Sequence, residues 1–165
     1  MGGMGVQQKI LALLETNARI STEQIGIVLG ISQAEVEAEI KKLEADHTIL
    51  GYNTIVNWEK TDREVVTALI EVKVTPQRGI GFDKIAERVY QYPEVTSVYL
   101  MSGGFDLTVV IEGKSMKEVA LFVSQKLAPM DSILSCATHF VLKKYKQNGF
   151  VYTPDEKDQR AAIWL

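Results

Sequence analysis

Apolar positions in the first third of the chain recur at helical spacing. Four of them fall at i, i+4, i+7 and i+8: Val6, Ile10, Leu13 and Leu14. This stripe predicts an amphipathic helix over residues 7–16. The segments 21–24 (Ser-Thr-Glu-Gln) and 32–35 (Ser-Gln-Ala-Glu) are capping boxes, each of which predicts the start of a further helix. Gly30 ends the helix before the second box, so the two helices are joined by about three residues and should cross steeply, as in a helix-turn-helix.

The hydrophobic period changes after residue 60. The predicted elements are a strand over 66–74, a helix over 82–90, strands over 95–102 and 107–112 joined by a hairpin at 103–106, a helix over 116–127 and a strand over 133–144. The order is β-α-β-β-α-β, which is ferredoxin-like, with a four-stranded antiparallel sheet and both helices on one face. The predicted fold class is therefore α+β, with an N-terminal, winged-type helix-turn-helix followed by a ferredoxin-like domain.

The last predicted strand is apolar on both of its faces. One face would carry Leu134, Cys136, Phe140 and Leu142, and the other Ile133, Ala137 and Val141. A sheet with helices on one side only should have a polar outer face. The second apolar face predicts a partner, most simply another copy of the chain packed sheet on sheet in a homodimer.

Composition narrows the possible functions. The chain has 165 residues, 46% hydrophobic and 24% charged, and a net charge of −3. It shows neither an apolar run of membrane-spanning length nor a signal-peptide pattern, so we expect a soluble cytoplasmic protein. The single cysteine, Cys136, cannot form a disulfide within the chain. One cysteine and two histidines also supply few ligands for a zinc site. We expect no metal, no cofactor and no enzyme activity, because no catalytic set of residues is evident.

The chain resembles the Lrp/AsnC ("feast/famine") family of prokaryotic transcription regulators over nearly its whole length. The matching motifs are Leu29-Gly30-Ile31-Ser32, Leu43-Glu44, Gly51-Tyr52, Ser102-Gly103-Gly104-Phe105-Asp106 and Thr138, with phenylalanine at 105 where the family has tyrosine. The resemblance implies dimers that often assemble further, promoter binding by the N-terminal domain and amino-acid sensing by the C-terminal one. We expect a DNA-binding domain over 1–60 that ends in a connecting strand around residues 52–57. An effector and oligomerisation domain should follow over 61–165, with an extension from about 150.

The second helix of the predicted helix-turn-helix would enter the DNA major groove. Its expected DNA-binding residues are Ser32, Gln33, Ala34, Glu37, Ala38, Lys41 and Lys42. Residues 1–60 nevertheless hold five basic against eight acidic residues, and Glu39 stands where the family usually has arginine. Because phosphate neutralisation provides most non-specific affinity, we expect weak, salt-sensitive binding. The alternative is an amino-acid-binding sensor or assembly protein that keeps the helix-turn-helix only as a scaffold.

The glycine-rich hairpin is the candidate effector site. The expected effector-binding residues are Ser102, Gly103, Gly104, Phe105, Asp106 and Thr138. Two glycines at positive φ would expose backbone N–H groups to a carboxylate, while Asp106 would take an amine, which together suits a free α-amino acid. A plain hairpin turn needs the same residue types.

Finally, Ile163-Trp164-Leu165 suggest a terminal segment that either docks on a neighbouring subunit or stays disordered.

Overall fold

The computed structural model describes residues 5–75 and 81–152, and their contacts divide the chain into two compact units between Ile55 and Val56. The predictions for the terminal Ile163-Trp164-Leu165 segment and for most of the extension from residue 150 fall outside the described residues.

The first unit is a bundle of three short helices. They are α1 (Val6–Thr16), α2 (Thr22–Leu29) and α3 (Gln33–Ala45). Ile10, Ile25 and Val36, one from each helix, are fully buried against each other. The periodicity and both capping boxes of the sequence are confirmed, since the Ser21 and Ser32 hydroxyls accept hydrogen bonds from Gln24 N and Glu35 N.

Two glycines shape the turn between α2 and α3. Gly30 ends α2 in the left-handed conformation at φ 69°, which L side chains disfavour. Gly26 lies under the turn, where its carbonyl accepts a hydrogen bond from Ile31 N at 3.0 Å. A Cβ on Gly26 would lie 2.7 Å from Ile31 O, so only glycine permits this close approach.

The predicted connecting strand over 52–57 is not formed. Residues 46–57 contain no strand, and a single 3₁₀ turn follows at Trp58–Lys60. A strand needs a hydrogen-bonded neighbour, and the described part of a single chain offers none at this position. The wing of the predicted helix-turn-helix is likewise not seen in residues 46–57.

The second unit contains the predicted β-α-β-β-α-β order. Its elements are β1 (Val66–Val74), α4 (Phe82–Tyr90), β2 (Val95–Leu100), β3 (Leu107–Gly113), α5 (Met116–Phe122) and β4 (Ile133–Phe140). The sheet order is β2-β3-β1-β4 with every neighbouring pair antiparallel. A small hairpin follows, β5 (Lys146–Gln147) with β6 (Phe150–Val151).

The hydrophobic core lies between the sheet and its helices. It is built from alternate residues of β1 and β3 together with one face of each helix, with Ile70, Val72, Ile85, Val109 and Leu127 among its fully buried members. The helix predicted over 116–127 is α-helical only to Phe122 and ends in a π-helical turn over Val123–Leu127.

The prediction for the last strand was wrong in two respects. The strand ends at Phe140 rather than at residue 144, and its register with β1 shifts at one point, where Val74 pairs with Ile133 but Lys73 pairs with Ser135. The shift leaves Leu134 unpaired and 68% exposed, whereas Ile133, Cys136 and Phe140 all pack on the core. Because a bulge moves the following residues to the opposite face, the two predicted apolar faces of this strand were mixed.

Candidate functional site

The exposed surface of α3 is the candidate DNA-binding site. With 100° of rotation per residue, Ala34, Ala38 and Lys41 lie opposite the buried Val36 and Leu43. All three are exposed, and so are Gln33 and Lys42 at its flanks. The predicted residues of α3 therefore lie on its outer surface, with Glu37 half-buried at the edge toward α2.

Ser32 is engaged in capping α3. Its hydroxyl accepts from Glu35 N and donates to Glu35 Oε2 at 2.7 Å, while Ser32 N donates to the same carboxylate oxygen at 2.9 Å. These hydrogen bonds from Ser32 hold the pKa of Glu35 below its ordinary value. Ser32 therefore fixes the start of α3.

Glu37 forms a bridge between the two helices of the helix-turn-helix. Its Oε1 accepts a hydrogen bond from Gln33 Nε2 at 2.7 Å and another from Thr22 Oγ1, on α2, at 3.2 Å. Thr22 lies 15 residues away along the chain, so spacing within α3 could not indicate this contact. An acidic residue of the candidate surface is thus held by neutral donors of its own unit.

Glu39 is held in the same way. Lys42 Nζ contacts Glu39 Oε1 at 2.5 Å, and Gln7 Nε2 on α1 donates to Oε2 at 2.8 Å. The bond from Lys42 and then that from Gln7 lower the pKa of Glu39, so it is ionised at neutral pH. Glu39 is therefore paired with a cation of its own helix, which engages Lys42 and leaves the net charge of this unit unchanged.

The loop between β2 and β3 carries the candidate effector residues. Gly103 has the expected positive φ, at 126°. Gly104, which was also expected to adopt a positive φ, does not. Ser102, Gly103 and Gly104 are exposed, and Phe105 is half-buried. The backbone at Gly104 is open to solvent, since a Cβ at this position would meet nothing within 4 Å.

Asp106 ties this loop to β1. Its Oδ2 accepts from Val74 N at 2.9 Å, its own N–H donates to Val72 O at 3.0 Å, and its carbonyl accepts from Met101 N at 2.8 Å. The carboxylate is thus already used in part by the fold. This geometry fits the turn interpretation of the motif, and it leaves the amine-binding role of Asp106 a prediction.

Thr138 lies apart from the loop within one chain. Leu107, at the start of β3, is level with Val72 on β1 and with Cys136 on β4, whereas Thr138 pairs with Ile70. Two strand spacings of about 4.8 Å separate β3 from β4, and Thr138 shares the helix-covered face with Cys136. The register does not bring Thr138 to the hairpin.

The outer face of the sheet carries a shallow apolar groove. Its volume is about 560 Å³, and its lining includes Leu69, Tyr99, Val110, His139 and Val141. Leu69 is 40% and Tyr99 55% exposed. His139 Nε2 lies 3.4 Å from Glu71 Oε1 at its edge. The apolar character of this face comes mainly from β1, β2 and β3, whereas the sequence predicted an apolar outer face from the last strand.

A further depression of about 420 Å³ lies around the 3₁₀ turn and was not singled out in the sequence. The Arg63 guanidinium stacks over the Trp58 ring at 4.3 Å, and Lys143 and Tyr152 also line the depression. Spacing alone gave no signal for this group, because Lys143 and Tyr152 lie 80 to 94 residues after Trp58 and Arg63 along the chain.

Residues 5–75 and 81–152 contain no helix that is long and apolar enough to cross a membrane. In the same ranges no three His, Cys, Asp or Glu side chains converge on a point where they could hold a metal ion.

Comparisons with known families match both units. The AsnC-type helix-turn-helix domain matches residues 7–44, and the Lrp/AsnC ligand binding domain matches residues 67–151. The chain is 49% identical over 158 residues to YugG of Bacillus subtilis, described as an uncharacterised HTH-type transcriptional regulator, and the match covers 95% of each protein.

Solved structures share the fold at lower identity. A transcriptional regulator of Neisseria meningitidis, NMB0573, in complex with L-Met, superposes with a TM-score of 0.70 at 22% identity, covering 88% of this chain and 94% of that one. AsnC of Escherichia coli gives a TM-score of 0.68 at 18% identity, covering 89% and 97%.

Proposed function

Because this chain belongs to the Lrp/AsnC family of transcriptional regulators, with an N-terminal DNA-binding helix-turn-helix and a C-terminal ligand-binding domain, we propose which residues perform each task. Residues 1–60 bind promoter DNA, and residues 61–165 bind a free α-amino acid and form the homodimer. Within the DNA-binding domain, Ala34, Ala38 and Lys41 face the major groove, Gln33, Lys42 and Glu37 flank them, and Ser32 fixes the start of the helix.

One observation carries the DNA-binding assignment: the outward face of α3 is exposed while its acidic neighbours are tied to internal donors. Glu37 is held by Thr22 and Gln33, and Glu39 by Gln7 and Lys42. Between Glu37 and Glu39 the exposed surface of α3 carries the small side chains of Ala34 and Ala38 and the cation Lys41. A helix can approach base edges closely when such small side chains face the groove.

The assignment is tested by titrating the full chain against its own upstream DNA at low and at high salt. Glu39→Arg removes an anion next to the phosphates, frees Lys42 and adds a cation, so we expect tighter binding and a steeper salt dependence. Glu15→Arg makes the same charge change on α1, outside the proposed contact face. Equal tightening by both variants would contradict the assigned face, and absence of binding at low salt would contradict DNA binding itself.

The effector site is proposed at the loop between β2 and β3. Exposed backbone N–H groups around Gly103 and Gly104 would bind the carboxylate, while Ser102, Phe105, Asp106 and, from a neighbouring subunit, Thr138 complete the site. The open backbone at Gly104 and the structural likeness to a regulator crystallised with L-Met support this proposal. A site between subunits would couple ligand binding to assembly through different affinities for each oligomeric state.

Calorimetric titration with the common free amino acids tests this site. Gly104→Val fills the open space without a backbone clash, since no atom lies within 4 Å of its Cβ position. We expect the variant to fold and to lose the heat of binding. Gly51→Val, also in open space but in the first unit, should keep it. Binding that survives Gly104→Val would place the ligand elsewhere, and no heat from any amino acid would leave the loop as a turn.

A further inference from the structure

The hydrogen bonds at the start of α3 fix the orientation of one side-chain amide. Gln33 Nε2 donates to Glu37 Oε1 at 2.7 Å. An ionised carboxylate can only accept hydrogen bonds, so the group that faces it must be the NH₂ and not the carbonyl of the amide. The Gln33 carbonyl oxygen and its second N–H are therefore directed away from Glu37.

Glu37 is itself held in place from α2. The same Oε1 accepts from Thr22 Oγ1 at 3.2 Å, and Thr22 is half-buried at the first position of that helix. Glu37 is half-buried as well, whereas Gln33 is exposed on the first turn of α3. The chain thus places a rigid support behind an exposed glutamine at the end of the helix that meets base edges in this type of domain.

We propose that Gln33 reads an adenine in the major groove and that Glu37, anchored by Thr22, is the positioning residue that sets its preference. This inference rests on the proposed entry of α3 into the major groove. Adenine presents an acceptor at N7 and a donor at N6, which match the outward N–H and carbonyl of Gln33. Guanine presents two acceptors, N7 and O6, and the outward carbonyl would be repelled by one of them. A turned-over amide could still donate one hydrogen bond to guanine, so Glu37 widens the preference for adenine by preventing that rotation.

The arrangement gives Glu37 two opposite effects. Its negative charge lowers the affinity for any duplex, because it lies near the phosphates and neutralises none. Its fixed acceptor oxygen raises the ratio of the affinity for adenine to the affinity for guanine at one position of the site. A variant that removes the charge and keeps the shape separates these effects.

Glu37→Gln is that variant. A glutamine at 37 can accept from the Gln33 amide or donate to it, so both orientations of Gln33 find a partner. The charge-matched control is Glu39→Gln, which removes a carboxylate from the same helix without touching Gln33. Gln33→Ala removes the proposed reader.

The experiment selects duplexes with a randomised core on the full chain at low salt and sequences the bound fraction. We expect the wild type to prefer adenine over guanine at one position of each half-site by roughly 5- to 150-fold, the range for a bidentate pair. Glu37→Gln should bind duplexes at least as tightly, with an adenine-to-guanine ratio clearly below that of the wild type. Glu39→Gln should keep the wild-type ratio, and Gln33→Ala should lose all preference at that position.

Three results would overturn the inference while leaving DNA binding intact. They are an unchanged adenine-to-guanine ratio in Glu37→Gln, an adenine preference that survives Gln33→Ala, and a wild-type cytosine preference that Glu37→Gln abolishes, which would make Glu37 itself the reader. Failure of the wild type to retain any duplex at low salt would instead overturn the proposed contact face together with this inference. Far-UV circular dichroism of each variant confirms that α3 is folded.

Discussion

At the scale of single residues, the ion pair between Glu94 and Lys126 shows how one side chain can couple stability to pH. Lys126 also lies 5.4 Å from the Tyr92 ring centroid and 5.6 Å from that of Phe122, two rings that pack edge to face. The bond from Lys126 outweighs partial burial and lowers the pKa of Glu94 below its ordinary value of 4.5. The pair fastens the segment after α4 to the turn after α5.

We predict that Glu94→Gln destabilises the second unit by about 1 kcal/mol at neutral pH, the size of a partly exposed charged hydrogen bond. A carboxyl group with a lowered folded-state pKa stabilises the fold above its unfolded pKa, and the contribution is lost as pH falls through the folded value. The difference between wild type and variant in urea denaturation should therefore shrink below about pH 4.5. Glu87→Gln, exposed on α4, is the control, and a difference that persists in acid would contradict the ion-pair explanation.

The candidate DNA-binding residues illustrate what a sequence does and does not show about a site. Helical spacing placed Ala34, Ala38 and Lys41 on one exposed face correctly, because that face follows from the period alone. The partner of Glu37 could not be found in this way, since Thr22 lies on another helix and meets it only through the crossing of α2 and α3.

At the scale of elements, the turn between α2 and α3 sets the geometry of the DNA-binding unit. We predict that Gly26→Ala destabilises it by about 1–3 kcal/mol, because the new Cβ would lie 2.7 Å from the carbonyl oxygen of Ile31, a backbone atom that cannot rotate away. Thermal denaturation followed by circular dichroism measures the loss. Gly51→Ala, with open space around its Cβ, should be neutral, and equal stability of both variants would mean that the turn can relax.

Helices and strands differ in how far their sequences defined them. A capping box indicates a helix start within four consecutive residues. The boxes at Ser21 and Ser32 therefore made the starts of α2 and α3 predictable. The bulge at Leu134 depends on how β4 pairs with β1, which is a property of two distant segments. The same holds for the segment 52–57, whose extended sequence forms no strand without a partner.

At the scale of the whole molecule, the outer face of the sheet is the surface on which we expect a second copy to pack. Leu69 is the central exposed apolar residue of this face, on the inner strand β1. We predict that Leu69→Asp converts the dimer to a monomer, since an unpaired charge in a desolvated interface costs more than such an interface can offset. Sedimentation velocity measures the change. Leu121→Asp is the control, because Leu121 is equally exposed, at 43%, on α5.

The same variant connects assembly to DNA binding. Two helix-turn-helix units on one dimer bind two half-sites. Once the first unit is bound, the second binds more readily because the first holds it at a high effective concentration near its half-site. Leu69→Asp leaves every residue of α3 unchanged, yet we expect its affinity for a two-half-site duplex to fall toward that for a single half-site, which should itself be unaffected. Parallel titrations of both duplexes at low salt measure the ratio. A monomeric variant that keeps full affinity for the double site would show that each unit binds alone, and the sheet face would then serve some purpose other than pairing the DNA-binding units.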